Sequence, residues 1–169
     1  DMIWPRVAHR YVETFEEARM TRQSTAACIE VFSEEEQHEL PEQKLDHIKR
    51  LTDRTGIIQH AKYTVPNFSE GYCTDDNARA LVLMIILASQ SEEILPDVDL
   101  LAGTYLAALQ YAFDDSTKRF RNFLRFDRTW VPEPGSEDSH GRALWALGTC
   151  LGRSKNIGFQ GAAGVLFEQ

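Results

Sequence analysis

A polar cluster joined directly to a long apolar run decides the fold of this chain. The stretch reads Glu70-Gly71-Tyr72-Cys73-Thr74-Asp75-Asp76-Asn77-Ala78-Arg79-Ala80-Leu81, and apolar side chains continue to Ala88. Thr74 is predicted to be a helix N-cap, which places Asp75 and Asp76 in the first turn beside the positive end of the helix dipole. Arg79 follows one turn later and can pair with these acids. The pattern therefore predicts a buried helix that begins with fixed acidic side chains.

The same order of residues returns further along the chain. The second stretch reads Gly135-Ser136-Glu137-Asp138-Ser139-His140-Gly141-Arg142-Ala143-Leu144, again a hydroxyl, two acids, a short polar spacer and Arg-Ala-Leu. The offset from Arg79 to Arg142 is 63 residues, a length that suits one outer and one inner helix with their loops. The repeat predicts two equivalent helix N-termini that face a shared site.

Composition limits the classes of function. With 169 residues, of which 43% are hydrophobic, the chain can form one ordinary domain with a core. Its formal net charge of −8, without any block of Lys and Arg, argues against a nucleic-acid partner. The apolar run at 81–88 is shorter than the roughly 20 residues that a bilayer requires, and no signal-peptide pattern precedes it. We therefore expect a soluble protein without a membrane span.

The cysteines indicate a reducing compartment. Cys28, Cys73 and Cys150 are odd in number and widely spaced, without a Cys-x-x-Cys pair. This pattern favours neither a disulfide framework nor a zinc site, so the cytoplasm is the simplest expected location.

Periodicity divides the chain into three parts. Residues 1–22 carry apolar side chains at helical spacing, with Pro5 near the first turn, and predict one helix. Residues 23–41 are rich in Ser, Thr and Glu and include Pro41, so they predict a linker. Residues 42–169 predict a helical domain. The chain also stops inside an amphipathic pattern without a C-cap signal, which suggests a piece of a longer protein.

The third part is predicted to be all-α. Helices are expected near residues 42–52, 79–90, 96–113, 142–151 and 159–169, with an irregular loop at 56–71. The alternation of apolar and charged residues, with a turn at Asp127-Arg128, predicts a short β-hairpin near 120–131. Amphipathic outer helices alternate with apolar inner ones, and this alternation suggests helical hairpins that form part of an α/α toroid.

The four acids of the two motifs are the candidate catalytic residues. Cleavage of a glycosidic bond needs one carboxyl group that protonates the leaving oxygen and another that activates water or stabilises positive charge. Asp75, Asp76, Glu137 and Asp138 can supply these roles, and catalysis predicts that Asp76 and Glu137 converge on one cleft. The alternative is that acids in a first helical turn only complement the helix dipole and cap free N–H groups.

Other polar and aromatic side chains are candidates for substrate binding. Imidazole and phenol groups can hydrogen-bond sugar hydroxyls, and His140 lies within one turn of Glu137, where it can share a proton network. Phe68, Tyr72 and Trp130 are either stacking platforms for sugar rings or core residues. The arginines are expected to pair with the acids of their own motifs first. The full set of candidate binding residues is His60, Tyr63, Asn77, Arg79, Asp127, Trp130, His140 and Arg142.

Several other chemistries lack their motifs. The histidines and acids show no regular ligand spacing, so no metal site is predicted. No Gly-x-Gly-x-x-Gly, P-loop or nucleophile elbow occurs, so neither a nucleotide cofactor nor a serine hydrolase is indicated. We expect no cofactor.

Four segments resemble one family. Residues 56–67, 70–80, the turn at 127–130 and 135–147 are similar to the helical region at the C-terminal side of certain bacterial glycosyltransferases. In that family a two-Rossmann-domain sugar transferase is followed by a six-hairpin α/α toroid similar to those of glycoside-processing enzymes. The resemblance implies that residues 1–22 are the last helix of a transferase domain and that 42–169 are the first part of the toroid.

The resemblance also implies a function. The four acids would line the open end of the toroid, in a domain that binds an oligosaccharide and cleaves or transfers a glycosyl unit by carboxylate acid/base chemistry. The alternative is a non-catalytic module that binds the glycan, or acts as a scaffold, beside the transferase domain. About half a toroid would expose an apolar wall where further hairpins belong, which predicts self-association.

Overall fold

The structure is a computed structural model that describes residues 4–25, 43–93 and 95–169. The chain divides into two units, residues 1–43 and 44–169, which are described separately. Residues 26–41 of the predicted linker, and Cys28 with them, lie outside the described residues.

The first unit contains one described helix, α1 (Trp4–Thr25). It includes residues 23–25, where the sequence predicted the linker to begin, because no Gly or Pro follows Pro5 within it. Nearly all of its described side chains are exposed, and the rings of Tyr11 and Phe15 stack one turn apart with centroids separated by 6.2 Å.

The second unit is mainly helical, which confirms the all-α prediction. Its helices pack as two hairpins, α3 with α4 and α5 with α6, and α3 also packs against α5. The hairpins stand side by side, whereas their place in an α/α toroid remains a prediction. The helices are α2 (Asp46–Leu51), α3 (Thr74–Gln90), α4 (Pro96–Ala112), α5 (Glu137–Arg153) and α6 (Ile157–Phe167).

Helix α3 lies at the centre of this unit. Leu81, Met84 and Ile85 are fully buried on one side of the helix, and Val82 and Leu87 are buried on its two flanks. Each such side chain contributes about 1.5 to 3 kcal/mol when it leaves water. The prediction of a buried inner helix is therefore confirmed for most of its surface, but the expectation that neighbours enclose it all round is wrong, because Arg79, Leu83 and Gln90 are exposed along one side.

The two inner helices keep the predicted register. Both α3 and α5 have 17 residues, and each residue of α3 corresponds to the residue of α5 that lies 63 positions later. The residues that cap them, Cys73 and Ser136 at the N-termini and Ser91 and Ser154 at the C-termini, keep the same offset. The repeat is therefore a property of the structure as well as of the sequence.

Short strand pairs fill the connections. β1 (Ala61–Lys62) pairs with β2 (Val65–Pro66), so the predicted irregular loop at 56–71 contains a hairpin, whose turn has Tyr63 at a φ of 58°. The 3-10 helix Phe68–Glu70 follows. The remaining pairs are β3 (Tyr72–Cys73) with β6 (Phe123–Leu124) and β4 (Phe113–Asp114) with β5 (Arg119–Phe120).

The predicted hairpin near 120–131 is confirmed. Leu124 bridges to Trp130, and the Arg125 amide donates to the Thr129 carbonyl at 2.9 Å. Arg128 takes a left-handed backbone conformation, with a φ of 68°, in the turn between them.

The predicted N-cap at Thr74 is wrong. Cys73 occupies the cap position, because its pairing in β3 keeps it extended up to the residue where the helix begins. Thr74 is already helical, and its hydroxyl donates to the Arg121 carbonyl at 2.6 Å. The start of α3 is thus tied to the strand region rather than capped by its own side chain.

Two thiols are buried and unpaired. The Cys73 Sγ donates to the Asn122 Oδ1 at 3.2 Å, and burial raises the pKa of Cys73. Burial also raises the pKa of Cys150, to about 11. In the parts of the chain that the structure describes, none of the helices has the length and apolar character for a membrane crossing.

Candidate functional site

The two motifs meet at one end of the second unit. The Arg142 side chain of α5 reaches Asp75 at the N-terminus of α3, and Lys155, after the C-terminus of α5, donates to the Ser91 carbonyl after α3. The two inner helices are therefore parallel. We call the end that holds their N-termini, with residues 53–73 and 113–136, the acidic end.

Five side chains form an alternating chain of charges across α3 and α5. Nη2 of Arg79 lies 2.7 Å from Asp76 Oδ1 and 2.9 Å from Asp75 Oδ2. Nε of Arg142 lies 2.9 Å from Asp75 Oδ1 and 3.1 Å from Asp138 Oδ2. The order Asp76, Arg79, Asp75, Arg142, Asp138 joins the two motifs, and we call it the charge chain.

Asp75 and Asp138 lie close together as a result. Both carboxyl oxygens are within 3.1 Å of the same nitrogen, so they are at most about 6 Å apart, closer than the carboxyl groups of inverting glycosidases at about 6.5 to 9.5 Å. The Arg142 Nε–H donates its hydrogen bond to Asp138. Asp75 Oδ1 is buried and accepts no hydrogen bond, so its contact with Arg142 is an ion pair only.

Asp76 has a perturbed pKa. Burial raises the pKa of its carboxyl group, and the neighbouring charge of Asp75 acts in the same direction. The Arg79 guanidinium opposes this rise, and His60 opposes it more weakly. The balance favours the protonated form of Asp76 more than in an exposed aspartate.

Glu137 lies apart from the charge chain. Its side chain is exposed and pairs with Nη2 of Arg119, on β5, at 2.8 Å. The acids from different motifs that one arginine joins are therefore Asp75 and Asp138, whereas convergence of Asp76 and Glu137 was predicted.

Two predicted binding residues build local structure. The Asn77 amide nitrogen donates to the Cys73 carbonyl at 2.8 Å, and its oxygen accepts the Ile57 amide at 3.0 Å. Asp127 accepts from the Thr129 amide and hydroxyl, and these hydrogen bonds lower the pKa of Asp127. Both side chains hold the backbone of the acidic end in place.

The predicted histidines and Tyr63 have different environments. His60 is exposed and lies near enough to Asp76 to influence its pKa. Tyr63 projects from the turn of the first hairpin and is almost fully exposed. His140 packs against Phe120, with ring centroids 5.5 Å apart, and its buried Nδ1 has no hydrogen-bond partner.

A cleft of about 390 Å³ lies beside Trp130, between the β4–β5 hairpin and residues 130–135. The Trp130 ring is half-buried between Tyr111, at 5.4 Å, and the guanidinium of Arg121, at 5.7 Å. Arg121 also pairs with Asp114 at 3.1 Å. We call this the indole cleft, and Arg119, the partner of Glu137, is in its wall.

The sequence did not point to Arg119, Arg121 or Asp114. Arg119 and Arg121 are two residues apart, a spacing that puts both side chains on one face of an extended strand. That signal is weak because β5 has only two residues.

Three aromatic rings form a second stack at the acidic end. Phe126 lies 4.5 Å from Phe68 and 6.3 Å from Tyr72. Tyr72 is a core residue whose hydroxyl donates to Asp53 at 2.6 Å, and burial together with this bond raises the pKa of Tyr72 to about 12. Phe68 is 52% exposed and Phe126 is 38% exposed, so these two rings of the stack are open to a ligand.

Comparison of the chain with protein-family models, with curated proteins and with solved structures gives no match. Within the described ranges, no group of three or more His, Cys, Asp or Glu side chains is placed to hold a metal ion.

Proposed function

We propose that the acidic end binds a carbohydrate and that its carboxyl groups break or form a glycosidic bond. The observation that supports this proposal best is the pairing of unlike carboxyl groups in the charge chain. Burial favours the protonated form of Asp76, while its neighbour Asp75 is ion-paired with two arginines. Carboxyl groups whose environments differ in this way can divide the roles of acid and base.

The proposed chemistry assigns one role to each side of this pair. Asp76 donates its proton to the glycosidic oxygen as the bond from that oxygen to the anomeric carbon breaks. Positive charge then develops on the sugar ring, and Asp75 or Asp138 stabilises it, takes the proton of the attacking water or acceptor hydroxyl, and later releases that proton to solvent. Asp76 recovers a proton from solvent.

The indole cleft suits the sugar itself. A hydroxyl group both donates and accepts hydrogen bonds, and the cleft offers guanidinium donors from Arg119 and Arg121 beside carboxylate acceptors such as Asp114 and Glu133. Trp130 adds an aromatic surface. The volume of the indole cleft, about 390 Å³, is within the range of about 300 to 1,000 Å³ for small-molecule sites.

One observation favours the alternative, a non-catalytic glycan-binding or scaffolding module attached to a glycosyltransferase domain. Each of the four motif acids already has an arginine partner. Such pairs can hold the loops in place without any reaction, so the alternative retains the sugar site and removes the chemistry.

The deciding experiment measures binding and turnover separately. The chain is mixed with a panel of oligosaccharides and nucleotide sugars, binding is followed by ligand-observed NMR, and products are followed by mass spectrometry. Asp76→Asn is compared with Asp97→Asn, which alters an acid in the first turn of α4, ion-paired with Lys49 at the opposite end of the unit.

The outcomes separate the two functions. Turnover that is lost in Asp76→Asn, while binding persists and Asp97→Asn remains active, supports the catalytic proposal. Binding without turnover in the unaltered chain supports the alternative. A chain that neither binds nor converts any member of the panel contradicts both catalysis and glycan binding, and leaves only the scaffolding role.

A further inference from the structure

One side of α5 is apolar and exposed. It carries Leu144, Trp145, Gly148 and Leu151, and we call it the α5 face. Trp145 is 54% exposed and borders an open groove whose other walls include Gly148 and Phe167. Exposed apolar surface of this kind commonly marks an interaction site.

The repeat shows what such a face does elsewhere in the molecule. Of the residues of α3 that lie 63 positions earlier, Leu81, Val82 and Ile85 are buried and Ala88 is half-buried. Val82 is 6% exposed, whereas Trp145, its counterpart, is 54% exposed. The first inner helix thus buries the side that the second leaves open.

On the opposite sides of these helices, α3 is exposed and α5 is buried. Leu83 is 42% exposed on α3, while its counterpart on α5, Ala146, is fully buried. We call the side with Arg79, Leu83 and Ile86 the α3 face. The buried side of α5 is thus the counterpart of the α3 face, and the buried side of α3 is the counterpart of the α5 face. The two helices therefore pack together through unlike sides.

The ion pair between α3 and α5 also joins these two unlike sides. Arg142 lies one turn before Ala146, and Asp75 lies two turns before Val82, so their contact at 2.9 Å joins these two unlike sides. The counterpart of Arg142 in α3 is Arg79, on the α3 face, and the counterpart of Asp75 in α5 is Asp138, beside the α5 face. Their side chains are 51% and 68% exposed, so both can take a further partner.

Glycines add an argument for close approach of a helix. Gly141 and Gly152 lie on the same side of α5 as Gly148, and a Cβ atom at either would have no neighbour within 4 Å. Glycine destabilises the middle of a helix relative to alanine, but it allows another backbone to come near. The open space at these positions is therefore available to a neighbouring helix.

We propose that the α5 face binds the α3 face of a second copy of this chain, in a head-to-tail contact that repeats the packing of α5 on α3. In this contact Leu83 lies against Trp145 and Gly148, and Arg79 pairs with Asp138 of the neighbouring copy. An interface between unlike faces leaves one of each free at the ends of an assembly, so further copies add until a ring closes.

The test uses single-face variants in sedimentation velocity. The unaltered chain is expected to exceed its monomer mass of 19.3 kDa increasingly as concentration rises. Trp145→Glu removes the α5 face and Leu83→Glu removes the α3 face, and each is expected to weaken association by at least about tenfold. Leu100→Glu is the control, since Leu100 is 70% exposed on α4 and belongs to neither face.

Mixing the two variants gives the decisive result. Each retains one intact face, so an equimolar mixture is expected to form dimers and nothing larger. Circular dichroism confirms that both variants keep their helices. An unaltered chain that stays monomeric, a mixture that stays monomeric, or a Leu100→Glu chain that loses association equally would overturn the proposal.

Discussion

Helices α3 and α5 have the same length and the same motif, yet they are stabilised in different ways. The N-terminus of α3 is tied to the strand region through Thr74, and its first-turn acids are mostly buried. The N-terminus of α5 has a Ser136 side-chain cap, and its acids Glu137 and Asp138 are exposed. The motif therefore specifies a helix start, while the neighbours decide which acid acquires unusual chemistry.

The largest expected difference between α3 and α5 is in the loss of stability when an apolar side chain is truncated. Leu81→Ala removes a fully buried side chain and is expected to lower the free energy of unfolding by about 2 to 5 kcal/mol. Leu144→Ala, at the corresponding position of the half-exposed helix, is expected to cost about 1 kcal/mol. Urea denaturation at low protein concentration measures both. Equal losses would show that α3 and α5 are equally enclosed.

A smaller difference is expected at the first helical residue. Thr74→Val keeps the shape of the side chain but leaves the Arg121 carbonyl without its donor, at a cost of about 1 to 3 kcal/mol. Glu137→Gln, at the corresponding position of α5, is expected to change stability by less than about 0.5 kcal/mol. Thermal denaturation compares the stability of the two variants. If Thr74→Val is as stable as Glu137→Gln, the hydrogen bond from Thr74 to the Arg121 carbonyl does not stabilise the start of α3.

The Ser136 cap gives a test on α5 alone. Its Oγ accepts the Ser139 amide at 3.1 Å, so Ser136→Ala is expected to cost about 1 kcal/mol. Ser136→Gly is the control, because glycine at this position costs only a few tenths of a kcal/mol. If Ser136→Ala leaves the urea midpoint unchanged, the hydroxyl does not cap the helix.

The smallest effects are those of pH, and their signs differ between two acids. The raised pKa of Asp76 means that its contribution to stability is complete below the unfolded value, 3.8, and is lost as pH rises through the folded pKa. Hydrogen bonds from Ser116, assisted by Arg121, lower the pKa of Asp114, so its contribution is present above 3.8 and is lost as pH falls through the folded pKa.

Asp76→Asn and Asp114→Asn separate these contributions. The stability of the unaltered chain minus that of Asp76→Asn is expected to decrease from pH 3.8 upwards, and the corresponding difference for Asp114→Asn to decrease below pH 3.8. Carbon-13 titration of the two carboxyl groups measures the pKa values directly. An Asp76 that titrates below 3.8 would contradict its proposed role as the proton donor.

The sequence predicted the local features of the fold and little of the site. Helix positions, and the pairing of each arginine with acids of its own motif, follow from spacings of three or four residues. The Thr74 cap was wrong because the pairing of β3 with β6, a contact between distant segments, shifts the helix start. The bridge from Asp75 to Asp138 was not foreseen, because it depends on how α5 packs on α3.

Asn77 and the indole cleft illustrate the same limit. Asn77 was predicted to bind substrate, but its amide spans two backbone segments that only folding brings together. Arg119 and Arg121 meet Trp130 through strands of two residues, which are too short to produce a recognisable alternation.

The buried thiols give the molecule two built-in reporters of opening. Cys73 lies where β3 joins α3 at the acidic end, and Cys150 lies in the core near the other end of α5. Because burial suppresses the reactive thiolate at both, alkylation should proceed only through transient exposure of each site. The two rates therefore measure separately how often the acidic end and the helical core open, and a bound sugar would slow the first more than the second.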